Sequence, residues 1–235
     1  MRCFYSHNLQ QSYGELNESD KKHLFTILRG KVGDKILLID GIGGMSVGII
    51  QSDRRISIVN FKQLPITKIK IHLFTALPRK QKMDILLSQC TEAGIWEFHP
   101  IITKNSVAFP GKETKIDRWQ SKILESCKQA HNPFIPKINP PVKLLNALDK
   151  INQMRLLPFY GSTNNLNQSS LQFKAEKLNI AWLVGPEGGF TPNELNLFTD
   201  RGITAISINR WILRVETAAV LGVSLLQNRI KELFN

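Results

Sequence analysis

Two segments near the C-terminal end hold residue types suited to chemistry. In Leu183-Val184-Gly185-Pro186-Glu187-Gly188-Gly189-Phe190, three glycines and a proline fall within five residues. Such a loop lets backbone N–H and C=O groups approach a small ligand closely. The second segment, Trp211-Ile212-Leu213-Arg214-Val215-Glu216-Thr217-Ala218, sets an arginine and a glutamate into an otherwise apolar run. Buried charges are costly unless paired or used. Arg214 and Glu216 are therefore either a mutual ion pair at the start of the last helix or working groups of a site.

Both segments follow apolar runs that read as buried strands, Ile180 to Val184 and Ile203 to Ile208. Ligands of α/β sheets bind at the carboxyl ends of strands, where both segments lie. Upstream, the rhythm from Ile69 onward is strand, helix, strand. Ile69 to Leu77 and Trp96 to Ile102 read as strands, and Lys80 to Ala93 and Ile116 to Ala130 as helices. A proline-rich connector (Pro133, Pro136, Pro140, Pro141) leads to a short helix from Val142 to Ile151 and a strand from Met154 to Tyr160. Gly161 to Gln172, rich in Ser and Asn, reads as an exposed loop. Thr191-Pro192-Asn193-Glu194 is a capping box with proline at the first helical position. A last helix is expected from Thr217 to Phe234. This alternation argues an α/β domain with a mainly parallel sheet and helices on both faces, spanning 67–235. Residues 1–66 read differently, as a small β-barrel: short strands separated by glycine turns, with a short helix capped by Ser19.

Several classes are excluded by what is missing. Gly41-Ile42-Gly43-Gly44-Met45-Ser46 has serine where a dinucleotide-binding loop needs glycine, and it lies between two strands, as a hairpin does. Gly188-Gly189-Phe190 lacks the Gly-Lys-Ser/Thr of a phosphate-binding loop. The five histidines never pair at i, i+4, and Cys3, Cys90 and Cys127 offer no zinc spacing, so no metal is expected. Three widely spaced cysteines, no signal-peptide core and no membrane-length apolar run lead to the expectation of a cytoplasmic protein with no membrane partner. A net charge of +12, from 31 basic and 19 acidic residues, points to a polyanionic partner, above all nucleic acid.

With these residues in place, the chain resembles the 16S ribosomal RNA uridine N3-methyltransferases of the SPOUT superfamily, knotted RNA methyltransferases that use S-adenosylmethionine. The resemblance is carried at the N-terminus by Arg2-x-Phe4, His23-Leu24, Leu28-Arg29, Val32-Gly33-Asp34 and Asp40-Gly41. In the middle it is carried by Thr91-Glu92-Ala93-Gly94, Asn105-Ser106-Val107, Arg118-Trp119 and Gln129, and most specifically at the end by the glycine loop and Leu213-Arg214-Val215-Glu216-Thr217-Ala218. The chain departs from the family at His131-Asn132, where Gly-Arg is usual, and at Ile208-Asn209-Arg210-Trp211, where the family has Leu-Gly before its arginine.

The resemblance implies a PUA-like RNA-binding barrel followed by a SPOUT domain with a C-terminal trefoil knot, and a homodimer acting on 16S rRNA or the 30S subunit. It implies that S-adenosylmethionine is held by Leu157, Pro158, Gly185, Glu187, Gly188, Gly189, Ile208, Asn209, Ile212, Leu213 and Thr217. The catalytic candidates are Arg214, aimed at charge developing on the uracil carbonyls, and Glu216. RNA phosphate contacts are expected from Arg2, Arg29, Lys31, Arg54 and Arg55. Two alternatives remain: methylation of another RNA atom such as a ribose 2′-hydroxyl, and a catalytically silent ribosome-assembly factor.

Overall fold

The computed structural model describes residues 1–78, 80–107, 116–162 and 179–234. The chain divides into two compact units, one of residues 1–66 with 124–135 and one of 67–123 with 136–235. The expected loop at Gly161 to Gln172 lies outside the described residues from 163 onward.

The first unit is a curled five-stranded sheet. Its strands are β1 (Cys3–Tyr5), β2 (Tyr13–Gly14), β3 (Lys35–Ile39), β4 (Gly44–Ile50) and β5 (Ile56–Gln63), in the order β1-β3-β4-β5-β2. β1 runs parallel to β3, and the other pairs are antiparallel. β4 alternates buried and half-buried along its length, as one core-facing side requires. That side packs Phe4, Leu16, Leu24, Ile36, Leu38, Ile50 and Ile56 together. Helix α1 (Glu18–Lys22) starts two residues earlier than a Ser19 cap would place it. Its cap is Asn17 and not Ser19: the Asn17 side chain accepts the Asp20 N–H, and the helix then loosens into a π turn over His23–Ile27. The glycine run before β4 is indeed a hairpin turn. Asp40 Oδ1 accepts the N–H groups of Ile42 and Gly44, and Gly41 and Gly43 take positive φ.

The second unit is a seven-stranded, all-parallel sheet in the order β12-β10-β11-β6-β7-β8, with β9 also on β7. In chain order the elements from residue 67 onward are β6 (Ile71–Ala76), α2 (Lys80–Glu92), β7 (Glu97–Ile102), α3 (Ile116–Ala130, assigned to the first unit from Leu124), β8 (Lys137–Ile138), β9 (Val142–Lys143), α4 (Leu144–Gln153), β10 (Leu157–Gly161), β11 (Ile180–Val184), α5 (Pro192–Asp200), β12 (Thr204–Ile206) and α6 (Val215–Phe234). Every residue of β6 and β11 is buried, the mark of central parallel strands covered on both faces. One face carries Phe74, Ala181 and Leu183 against Leu148 of α4 and Phe198 of α5. Over the other lies α6, where the buried Trp182 indole packs against Gly222 and donates to the Ala218 carbonyl at 3.2 Å.

Two expectations shift. The proline-rich connector holds two-residue strands, β8 and β9, on the edge beside β7, which suits prolines that cannot donate to a ladder. The helix placed at Val142 therefore begins at Leu144, while α6 begins two residues earlier than Thr217.

Candidate active site

The parallel sheet brings three loops together at its carboxyl edge, after β10, β11 and β12. They enclose a cleft of about 360 Å³, within the range of small-molecule sites. Tyr160, Gly161 and Ser162 line it from the first loop and Val184 to Phe190 from the second. Ile208, Asn209 and Trp211 to Leu213 line it from the third, with Val215 and Ala218 of α6 closing the floor.

The glycine loop is fixed from both ends. Gly189 sits at φ +68° and its N–H returns to the Pro186 carbonyl at 2.9 Å, a turn that glycine makes without strain. Asn105, just beyond β7, donates its side-chain amide to the carbonyls of Gly188 and Gly189, each at 3.1 Å. Glu194 locks the next helix. Its Oε2 accepts the Thr191 N–H, completing the capping box, and its Oε1 accepts the Lys104 N–H at 2.9 Å. One segment, Lys104-Asn105, thus braces both the loop and the start of α5. Asn105 has no role in the sequence reading beyond its place in the resemblance; its partners lie more than 80 residues away.

Tyr160 and Phe190 line the cleft with aromatic rings. Phe190 stands edge-on to Phe198 at 4.7 Å between ring centres, and Tyr160 packs against both. Burial raises the Tyr160 phenol above its ordinary value. Trp211 and Ile212 are 68% and 87% exposed at the rim. Among the described side chains lining the cleft, Glu187 alone carries a formal charge.

Gly185, Glu187, Gly188, Gly189, Ile208, Asn209, Ile212 and Leu213 all line the cleft. Leu157, Pro158 and Thr217 do not. Leu157 and Pro158 open β10, whereas its carboxyl end, the end that faces the cleft, is Tyr160 and Gly161. Arg214 lies between two lining residues with its side chain exposed, and its carbonyl accepts the Ala218 N–H.

The mutual ion pair of Arg214 and Glu216 does not form among the described residues. Glu216 is buried at the start of α6, and its Oε1 meets Lys82 Nζ of α2 at 3.2 Å. Its Oε2 is buried without a hydrogen-bond partner among the described residues. An anion at a helix N-terminus is favoured by the helix dipole, which together with Lys82 holds this carboxylate in place.

In the first unit, Arg2, Arg29, Lys31, Arg54 and Arg55 are all exposed and gather at one end of the sheet. The pairing explains this: Arg2 precedes the Cys3–Leu37 register, Arg29 and Lys31 precede β3, and Arg54 and Arg55 turn β4 into β5. Arg54 lies over the Phe25 ring at 5.7 Å and Arg55 over Tyr13 at 4.2 Å, while Asp53 pairs with Arg55. Arginines laid on aromatic rings are a surface suited to bases as well as phosphates, a feature the charge count alone does not show.

A cleft at the carboxyl ends of parallel strands, walled by a glycine loop and aromatic rings, defines an α/β protein that holds a small organic ligand. Residues 65–227 match the RNA methyltransferase domain family, to which the chain belongs. It is 27% identical over 236 residues to "Ribosomal RNA small subunit methyltransferase E" of Aquifex aeolicus, covering 97% of this chain and 100% of that protein. The protein of the same name from Synechocystis sp. is 28% identical over 221 residues, covering 89% of this chain and 71% of that one. The crystal structure of a ribosomal RNA small subunit methyltransferase E from Neisseria gonorrhoeae, bound to S-adenosyl methionine, has the same fold. Its TM-score is 0.85 at 23% identity, over 97% of this chain and 98% of that one.

Proposed function

We propose that the chain transfers a methyl group from S-adenosylmethionine to N3 of a uridine in 16S ribosomal RNA. The observation that carries the cofactor is the cleft's charge: among the described residues its only charged lining side chain is the Glu187 carboxylate. A nucleotide polyphosphate would find no lining cation among the described residues, whereas a sulfonium and an ammonium group suit a carboxylate. Ile208, Ile212 and Leu213 offer apolar surface for the adenine, and the backbone of Gly185 to Gly189 offers hydrogen bonds at close approach. Bound in this way, the cofactor supplies an electrophilic methyl group.

The chain's own residues handle the base. Uridine N3 carries a proton and becomes a nucleophile only as that proton leaves. Arg214, exposed beside the cleft, meets the negative charge that then develops on the uracil carbonyl oxygens. Glu216, held by Lys82, fixes the first turn of α6 and with it Val215 and Ala218 in the cleft floor. N3 lies on the pairing edge, so the base enters unpaired. Exposed Trp211 at the rim gives it a stacking surface.

Arg2, Arg29, Lys31, Arg54 and Arg55 bind the rRNA backbone of the 30S subunit. The same proposal includes a SPOUT knot formed by the three cleft loops, a homodimer and a cytoplasmic site of action. No helix among the described residues is long and apolar enough to cross a membrane.

The test is nucleoside mass spectrometry of rRNA from unmodified 30S subunits incubated with the protein and S-adenosylmethionine. N3-methyluridine is the expected product. A 2′-O-methylated nucleoside would move the target to the ribose. Calorimetric cofactor binding without any methylated product would make the chain a silent binder.

A further inference from the structure

Away from the cleft, the parallel sheet buries a second polar group of side chains. His72 on β6 is paired in register with Glu97, the first residue of β7, and Glu97 and His99 stand two apart on that strand. All three side chains therefore share one face of the sheet. His72 and His99 are 3% and 2% exposed, and Glu97 keeps a 13% opening to solvent.

Three donor atoms form a triangle. His72 Nδ1 lies 3.2 Å from His99 Nε2 and 3.2 Å from Glu97 Oε2, and His99 Nε2 lies 3.7 Å from Glu97 Oε2. Two ring protons cannot supply a hydrogen bond along all three edges of this triangle. A proton on His72 Nδ1 faces two acceptors at once and leaves His72 Nε2 bare. A proton on His99 Nε2 directed at His72 turns the His72 lone pair toward a carboxylate oxygen. His72 Nε2 is buried and has no partner among the described residues. With the His99 ring proton on Nδ1, which faces the Asn139 amide nitrogen at 3.2 Å, a cation at the centre would be met by a lone pair from each of the three atoms. Ligand bonds of about 2.0–2.1 Å in tetrahedral array set donor atoms about 3.3–3.4 Å apart, inside the observed spread.

We infer that His72, Glu97 and His99 form a binding site for a divalent transition metal, best matched by zinc. Two imidazoles and one carboxylate are a donor set that zinc takes, with water in the fourth position reached through the opening at Glu97. Asn139, just past β8, orients the carboxylate: its amide donates to Glu97 Oε1 at 2.8 Å, and its Oδ1 accepts from Lys150. The metal would join β6 and β7 at the amino edge of the sheet, opposite the cleft, and its role is structural. The spacing escapes a search for histidines one helical turn apart, because the ligands are strand neighbours.

The test uses the full chain with any affinity tag removed, stripped with EDTA and titrated with zinc chloride against a chromophoric chelator. One zinc per chain bound below micromolar Kd is expected, with a rise in melting temperature. His99→Ala and Glu97→Gln should weaken binding about 100-fold, whereas His131→Ala should leave it unchanged. If those variants fail to fold, X-ray absorption on the parent decides, with two imidazoles and one carboxylate oxygen expected around the zinc. Stoichiometry near zero, binding unchanged in His99→Ala and Glu97→Gln, or an absorption spectrum lacking two imidazoles would overturn the site.

Discussion

Replacing Gly222 with alanine sets two opposed effects against each other, and their sizes decide the outcome. Gly222 lies inside α6, where glycine costs about 0.8–1.0 kcal/mol relative to alanine. On propensity alone, Gly222→Ala would stabilise the protein. Packing argues the reverse. A Cβ at this position would fall within the indole of Trp182, on atoms Cε2, Nε1 and Cζ2. Trp182 is fully buried, so the ring has no open space to move into. Overpacking of this kind costs about 1–3 kcal/mol. Displacing the ring also breaks the bond from Nε1 to the Ala218 carbonyl, and a buried N–H left without a partner costs about another 1–3 kcal/mol. Packing wins, with a net loss of about 1–5 kcal/mol once the propensity gain is set against it. For a chain of this size that is a fall of about 2–20 °C in melting temperature. The effect reaches the cleft, because Ala218 lines its floor and Gly161 lies beside the same indole, where an added Cβ would meet the ring at 3.3 Å. Thermal melts followed by circular dichroism, with cofactor titration calorimetry at low temperature, read both consequences. Trp182→Phe in the same background should recover part of the loss by making room. A Gly222→Ala protein that melts at or above the parent temperature would show that α6 does not rest on Trp182 as described.

Lys82→Met removes the partner of the buried Glu216 carboxylate. Breaking a fully buried pair costs about 3–5 kcal/mol, but the Lys82 side chain is 31% exposed, so a loss of about 1–3 kcal/mol is expected in urea denaturation. Adding Glu216→Gln should return part of it; strictly additive losses would mean that the two side chains do not interact. Replacing Arg54 and Arg55 together by serine should flatten the salt dependence of RNA binding by about one to two units of log–log slope. Cofactor affinity should not change, and an unaltered slope would remove the turn between β4 and β5 from the RNA surface.

The parts of this protein legible in the sequence are those whose cause is local. Alternating apolar runs and helical stripes announce the parallel sheet. A dense group of glycines after a strand announces the loop that lines the cleft, and the capping box announces α5. What the sequence hid depends on which residues meet across the sheet. The run from Met154 to Tyr160 shows a strand but not where it stops, and Tyr160, Gly161 and Ser162 at its carboxyl end line the cleft where the resemblance points to Leu157 and Pro158.

Charged residues inside an apolar run are the harder case, because the sequence shows a charge without its partner. Glu216 looked complementary to Arg214, two residues away. At the start of a helix, however, side chains two apart point in different directions. Glu216 faces α2, where Lys82 waits 134 positions earlier, and Arg214 faces solvent. The same logic covers Asn105, whose amide is spent on glycines 83 and 84 residues away, and His72, whose neighbours are set by strand register. This separation divides the labour of the site. Residues that shape the cleft are contiguous and announce themselves as motifs. Those that brace it, Asn105, Glu194 and Lys82, come from distant elements and become visible only once the sheet has been assembled. A substitution in the second group should therefore loosen the cleft without touching any atom that lines it.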